Sequence, residues 1–189
     1  MAPALRLIFA ALRHGLERRP QVFEKVRLHF IGTDYAPARM ARKTVEPIAR
    51  EFGLGDRVRE HPARVPYFEA LQLLLSAAFL VVPGSDDPQY TASKIYPYIL
   101  ADKPLLAVFQ PSSSVCGVLR ETGAGVPLPL DAPPEDVMEH WHAVLSPLGA
   151  RPDTDWLALA PFLAERMTER QCELFDRVLT GGCLVGGSN

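Results

Sequence analysis

The chain has 189 residues, with 20 Lys and Arg against 22 Asp and Glu, a net charge of −2, 48% hydrophobic and 22% charged residues. These proportions exclude a disordered chain, a collagen-like rod and a disulfide scaffold, and the length suits one domain with a single core. Cys116, Cys172 and Cys183 have no Cys-x-x-Cys spacing, which argues against a zinc site and for a reducing, cytoplasmic setting.

The apolar runs Leu73–Pro83 and Leu105–Phe109 fall short of the ~20 residues that a spanning helix needs. Arg6 and Arg13 interrupt the N-terminal apolar stretch, so it does not read as a signal peptide. Residues 1–64 hold 13 Lys and Arg against 7 Asp and Glu, and the remainder is acidic. Solvated helix faces explain such an imbalance better than an anion site does, and without a basic run interleaved with aromatics nucleic-acid binding is not expected.

In chain order, Leu5, Ile8, Leu12 and Leu16 form one helical stripe over Ala4–Leu16, which Pro20 ends. Val26–Ile31 alternates and stops at Gly32, as a strand entering a turn does. Asp34 is placed to cap a helix from Ala36 to Phe52, kinked or split at Pro47 and closed by Gly53 and Gly55. Arg57–Glu60 is a short strand, and Val65–Ala78 a helix with Phe68, Leu71, Leu74 and Leu75 inward. Phe79–Val82 reads as a central strand buried on both faces. A polar loop then leads to a helix from Ser93-Lys94 to Ala101. Leu105–Phe109 is the next buried strand, Ser112–Thr122 a helix, Gly125–Leu128 an edge strand, and Pro133–Leu145 a helix. Asp155–Leu179 is a long helical segment broken near Pro161, and 181–189 is a loose glycine-rich tail.

Strict alternation of helices and strands predicts an open, mainly parallel, Rossmann-like α/β sheet flanked by helices. In such a sheet a ligand sits beyond the carboxyl ends of the strands. Three loops qualify: Gly32–Tyr35, Pro83–Ser93 and Gln110–Ser114. The second is longer than a connection requires, and free amides near Ser93 with the Lys94 ammonium would suit a diphosphate. The plain alternative is that Ser93 is an N-cap and Lys94 a solvated residue. A lone glycine after a strand, as at Gly32, is common and carries little by itself.

Other candidates are weaker. Asp136 and His140 stand at i, i+4 but lack a third ligand, so no metal is expected. His29 reads as a core or sheet-face histidine, and Cys116 as a buried structural thiol. No Gly-x-Ser-x-Gly elbow or Walker A sequence occurs.

The stretch Leu80-Val81-Val82-Pro83-Gly84-Ser85, followed by Ser93-Lys94-Ile95-Tyr96-Pro97-Tyr98 and Lys103-Pro104-Leu105, resembles the C-terminal domain of group 1, family 4 glycosyltransferases of the GT-B fold. Phe30-Ile31-Gly32, Asp56-Arg57-Val58 and Gly123-Ala124-Gly125 are similar to further pieces of that domain, in order. The resemblance covers residues 2–145 and implies one half of a GT-B fold. Residues 1–180 would then form a nucleotide-sugar-binding domain, with 151–180 as closing helices. It implies a donor site in which Ser93 and Lys94 border the diphosphate, Gly84, Ser85, Asp86, Tyr90 and Thr91 approach the sugar, Arg64 and Val65 lie near the base, and Gly32 ends the facing strand. No cofactor is implied beyond the nucleotide-diphosphate sugar, which is a substrate. Catalysis in that family is chiefly electrostatic.

Two departures bear on activity. Pro97 stands where the family carries a ribose-binding glutamate. The chain also opens in the domain's first helix, without the preceding strand or the N-terminal acceptor domain. The expectation is therefore the donor-binding part of an enzyme that moves a sugar to a glycan, lipid or other acceptor, inactive by itself and compatible with peripheral membrane contact. The competing reading is a catalytically silent α/β module that binds a nucleotide or a protein.

Overall fold

The structure, a computed structural model, describes residues 1–87, 90, 92–146 and 151–180. The first helix, α1 (Ala2–Arg18), buries Leu5, Ile8 and Leu12 together with Ala4, Phe9 and Ala11. Pro20 does more than stop it. It opens a short second helix, α2 (Pro20–Phe23), whose missing N–H costs nothing at a first helical position. The turn folds Phe23 back on α1, where Gly15 alone fits: a Cβ there would lie 2.6 Å from the Phe23 ring.

Strand β1 (Leu28–Ile31) runs parallel to β2 (Val58–His61), with Leu28 opposite Val58. Between them the helix expected from Ala36 starts only at Val45, as α3 (Val45–Glu51). The Asp34 carboxylate does not cap it. Asp34 accepts from the Ala36 N–H at 3.0 Å and the Arg42 N–H at 2.8 Å, and this holds residues 34–42 in turns. The true cap comes from across the sheet: Glu60 of β2 accepts from the N–H groups of Thr44, Val45 and Glu46 at 2.8–3.0 Å. Pro47 therefore falls in the first turn, where no intrahelical donor is needed, and it produces no kink.

Helix α4 (Tyr67–Ser76) contains no buried residue. Of the four residues expected inward, Phe68 and Leu75 are 76% and 58% exposed, and Leu71 and Leu74 are half-buried. The cause is the sheet beneath. Strand β3 (Leu80–Pro83) belongs to a second parallel sheet, of order β3-β4-β5 with β4 (Leu105–Phe109) and β5 (Val126–Pro129), and no hydrogen bonds join it to β1. Helix α4 leads from one sheet to the other and so crosses a break. The strand buried on both faces is β4, all five of whose residues are buried, whereas β3 alternates between buried and half-buried.

Pro127 and Pro129 are tolerated in β5 because their nitrogens face away from β4, towards the outer edge. Helix α5 (Ile95–Leu100) follows β3. Helix α6 (Ser114–Thr122) is capped by Ser113 and ends at Gly123, whose φ of 64° is left-handed. Helix α7 (Pro134–Leu145) returns to α1.

Two cores result. Leu106 and Val108 of β4 face α1, α3 and α7 with Trp141, whose ring meets Phe23 and Phe79 edge-on. Leu105, Ala107 and Phe109 face α5 and α6. Helix α8 (Trp156–Leu159) packs on α6 through Leu159, and after a 3-10 turn (Ala160–Phe162) the chain enters α9 (Ala164–Leu179), none of whose residues is buried. The break near Pro161 is as expected; the tail 181–189 lies outside the described residues.

Candidate functional site

The carboxyl ends of the strands gather the expected residues into two groups. The first stands at the ends of β1 and β2. Gly32 adopts φ 70°, donates its N–H to the His61 carbonyl at 2.8 Å, and lies against the Arg64 backbone. The Arg64 guanidinium sits 4.4 Å over the Tyr35 ring, a cation–π pair at the surface, and Val65 beside it is half-buried. The loop carrying Tyr35 is pinned by two carboxylates, Asp34 as above and Glu60, which also accepts from the Thr33 hydroxyl at 2.5 Å. Burial pushes the Glu60 carboxyl up, but hydrogen bonds from Thr33, Thr44, Glu46 and Val45 outweigh it and hold it below the ordinary carboxylate range.

The second group follows β3. Gly84 donates to the Val108 carbonyl at 2.7 Å, and a Cβ on it would lie 2.5 Å from the Phe109 ring and 2.6 Å from that carbonyl, so the position is closed to a side chain. The Ser85 hydroxyl accepts from the Asp87 N–H at 3.1 Å, and the Tyr90 N–H donates to the Asp87 carbonyl at 3.1 Å. Asp86 is exposed and lies 3.5 Å from the Met1 ammonium. Its own backbone N–H, then that ammonium, hold its carboxyl below the usual range. Tyr90 is 45% exposed.

Ser93 does not cap α5. The N-cap position falls on Lys94, no side chain caps the helix, and both residues are exposed. Lys94 forms no ion pair among the described residues, so its ammonium is open to solvent at the helix start. Thr91 lies outside the described residues.

The third loop, Gln110–Ser114, is satisfied internally. Ser113 accepts from the Val115 N–H, and the Cys116 thiol lies 3.5 Å from the Gln110 carbonyl, buried and pushed up in pKa by that burial. Cys116 is thus a structural thiol. His29 is exposed on a sheet face. His140 is half-buried, with its titration lowered by burial, and stands with Asp136 in no cluster of three metal-binding side chains among the described residues. Many of the early basic residues are spent in exposed ion pairs, Arg6 with Glu51, Arg13 with Glu17 and Arg19 with Glu139, as expected of solvated helix faces. No described helix is long and apolar enough to cross a membrane.

Sequence reasoning missed two residues. Glu60 had a signal: it occupies the same face of its strand as Val58, two residues before it, where an apolar residue belongs. Tyr35 entered only as the last residue of the loop Gly32–Tyr35, with no signal that Arg64 would lie over its ring.

No protein-family model matches the sequence, and no curated protein is similar to it. Solved structures are. WaaG, a glycosyltransferase involved in lipopolysaccharide biosynthesis, superposes with a TM-score of 0.56 at 17% identity, over 94% of this chain and 43% of its own. AviGT4, a glycosyltransferase involved in avilamycin A biosynthesis, does so with a TM-score of 0.55 at 19% identity, over 93% and 48%. The fold is that of a Rossmann-like half of a GT-B glycosyltransferase. This chain spans less than half the length of either structure.

Proposed function

We propose that the chain is the donor-binding part of a glycosyltransferase, gripping a nucleotide-diphosphate sugar while the acceptor, a glycan or lipid, is held by a second domain. The observation that supports this reading is the likeness of fold to two glycosyltransferases, combined, among the described residues, with a start of α5 that no side chain caps and a Lys94 that forms no ion pair. Lys94 and the neighbouring amides would neutralise the diphosphate as it leaves, the electrostatic part of sugar transfer. Ser85, Asp86 and Tyr90 would meet the sugar. Arg64, its guanidinium over the Tyr35 ring, and Tyr35 offer a surface for a base. Pro97 supplies no acceptor for ribose hydroxyls, so the ribose would be held from elsewhere. A cytoplasmic setting fits a nucleotide-sugar donor and three cysteines without a paired spacing.

The test is calorimetric titration of the chain with UDP, GDP and their sugars, beside Lys94→Ala. Saturable heat that weakens about tenfold in the variant, as loss of one charge-assisted contact of roughly 1.4 kcal/mol requires, is the expected result. Absence of heat with every nucleotide would instead make this a silent module. Sugar transfer by the chain alone is expected to be absent, and clear turnover would overturn the division of labour proposed here.

A further inference from the structure

Building on the donor-binding reading above, we infer that Glu60 is the positioning residue of the base surface: its one carboxylate, beneath the loop, fixes Tyr35 and Arg64 relative to each other. Base recognition then depends on a residue that touches no ligand.

Residues 33–44 link β1 to α3. This loop is longer than the roughly 2–6 residues that a strand-to-helix turn requires. Its larger apolar side chains supply no core, since Tyr35 and Met40 are 79% and 68% exposed. Ordering it costs conformational entropy that apolar burial does not offset, so polar bonds fix its shape.

Those bonds converge on Glu60, which is 5% exposed on β2. Its Oε1 accepts from the Thr33 hydroxyl at 2.5 Å and from the Thr44 N–H at 3.0 Å, so a single oxygen joins the two ends of the loop. Its Oε2 accepts from the Val45 and Glu46 N–H groups at 2.8 and 2.9 Å, which starts α3. The Glu46 carboxylate accepts from the Glu60 N–H at 3.0 Å, and its pairing with Lys43 and Arg50 limits repulsion between the two acidic groups.

Both halves of the base surface are rooted at this carboxylate. Tyr35 follows Thr33 by two residues, and Arg64 follows Glu60 by four. The Asp34 N–H donates to the Pro62 carbonyl at 3.1 Å and ties the two segments again. Above this root the Arg64 guanidinium lies 4.4 Å over the Tyr35 ring. The loop's tip is closed separately, by the Asp34 carboxylate on the Ala36 and Arg42 N–H groups, so the Thr33 bond sets the position of the tip, and of Tyr35, against β2.

Charge is needed as well as shape, because four donors face two oxygens. A glutamine offers one oxygen and turns an NH2 group towards donors. The hold on the loop is also separable from the cap on α3, since Thr33 takes no part in the cap. Thr33→Val keeps the side chain's shape and leaves the cap in place while removing the bond at the loop's start.

Calorimetry of the 189-residue chain and its variants with UDP, GDP and inorganic pyrophosphate tests this, together with the Arg64 Nε–Hε resonance read by NMR without ligand. Nucleotide binding is expected to weaken about tenfold in Thr33→Val and in Glu60→Gln, as loss of a stacking contact does. Pyrophosphate binding should stay within about twofold of the parent's. The Arg64 resonance, shifted by the Tyr35 ring in the parent, should move towards its free position in both variants. Tyr35→Ala should weaken nucleotide binding by the same factor, and Thr33→Val added to it should weaken binding no further, since Thr33 acts through Tyr35. Asp155→Ala, which loosens a helix cap elsewhere, should change none of these readings. If Glu60→Gln does not fold, Thr33→Val and its combination with Tyr35→Ala decide the matter. The proposal is overturned if Thr33→Val leaves nucleotide binding and the Arg64 signal as in the parent, if it weakens pyrophosphate as much as nucleotide, or if its effect adds in full to that of Tyr35→Ala. A parent that binds no nucleotide overturns the donor-binding reading instead, and the base surface with it.

Discussion

Glu60 caps a helix that belongs to another part of the chain, and its role makes two measurable demands. Replacing it with Gln removes the charge that four donors share and should cost about 1–3 kcal/mol in urea unfolding at neutral pH. Its carboxyl titrates lower in the folded than in the unfolded chain, so the ionised form stabilises the fold fully above the unfolded carboxyl range near about 4.3. That contribution is lost as pH falls through the lower folded value. Acid unfolding of the parent should therefore show a loss below about pH 4.3 that Glu60→Gln reduces. Gly84 makes a steric demand: Gly84→Ala forces a methyl against the Phe109 ring and the Val108 backbone and should destabilise by about 1–3 kcal/mol, read as a lower urea midpoint at unchanged slope. Glycine was legible there as part of a motif, but its packing reason was not, because Phe109 comes from a strand about a loop and a helix away.

Among the elements, β4 was the easiest to read, since five consecutive apolar residues have only one comfortable place, between two layers. Helices α6 and α7 were similarly legible, read as Ser112–Thr122 and Pro133–Leu145 and observed to start within two residues of those positions. The segment 36–52 was not. Its local signals, Asp34 then Pro37, are those of a helix start, yet the same carboxylate satisfies turn amides, and the helix forms only where Glu60 reaches it. In α4 the apolar spacing was read correctly as a helix, but the choice of inner face assumed a continuous sheet beneath. Phe68→Ser should accordingly change the stability of this chain by no more than about 0.5 kcal/mol, a surface-like response from a residue that its pattern assigns to a core. Asp155, which accepts from the Leu157 and Ala158 amides, behaves as a cap should: Asp155→Ala is expected to cost about 1 kcal/mol, measured by thermal unfolding.

At the scale of the molecule, the two sheets are held in one body by the helical layer of α1 and α7 and by β4, which faces both cores. Trp141 is the largest side chain fully buried in that layer. Trp141→Ala should cost about 3–5 kcal/mol, enough to unfold a marginal domain, and circular dichroism would show loss of signal from both sheets together rather than one. The sequence by itself determined the alternation of helix and strand, the parallel architecture and the burial of Cys116, because these follow from hydrophobic period, turn chemistry and local spacing. Only the tertiary structure decided where the sheet divides, which carboxylate starts α3, which face of α4 is left uncovered and how Arg64 meets Tyr35. Those depend on contacts between residues distant in the chain, and a one-dimensional pattern carries the need for burial without carrying the identity of the partner that provides it.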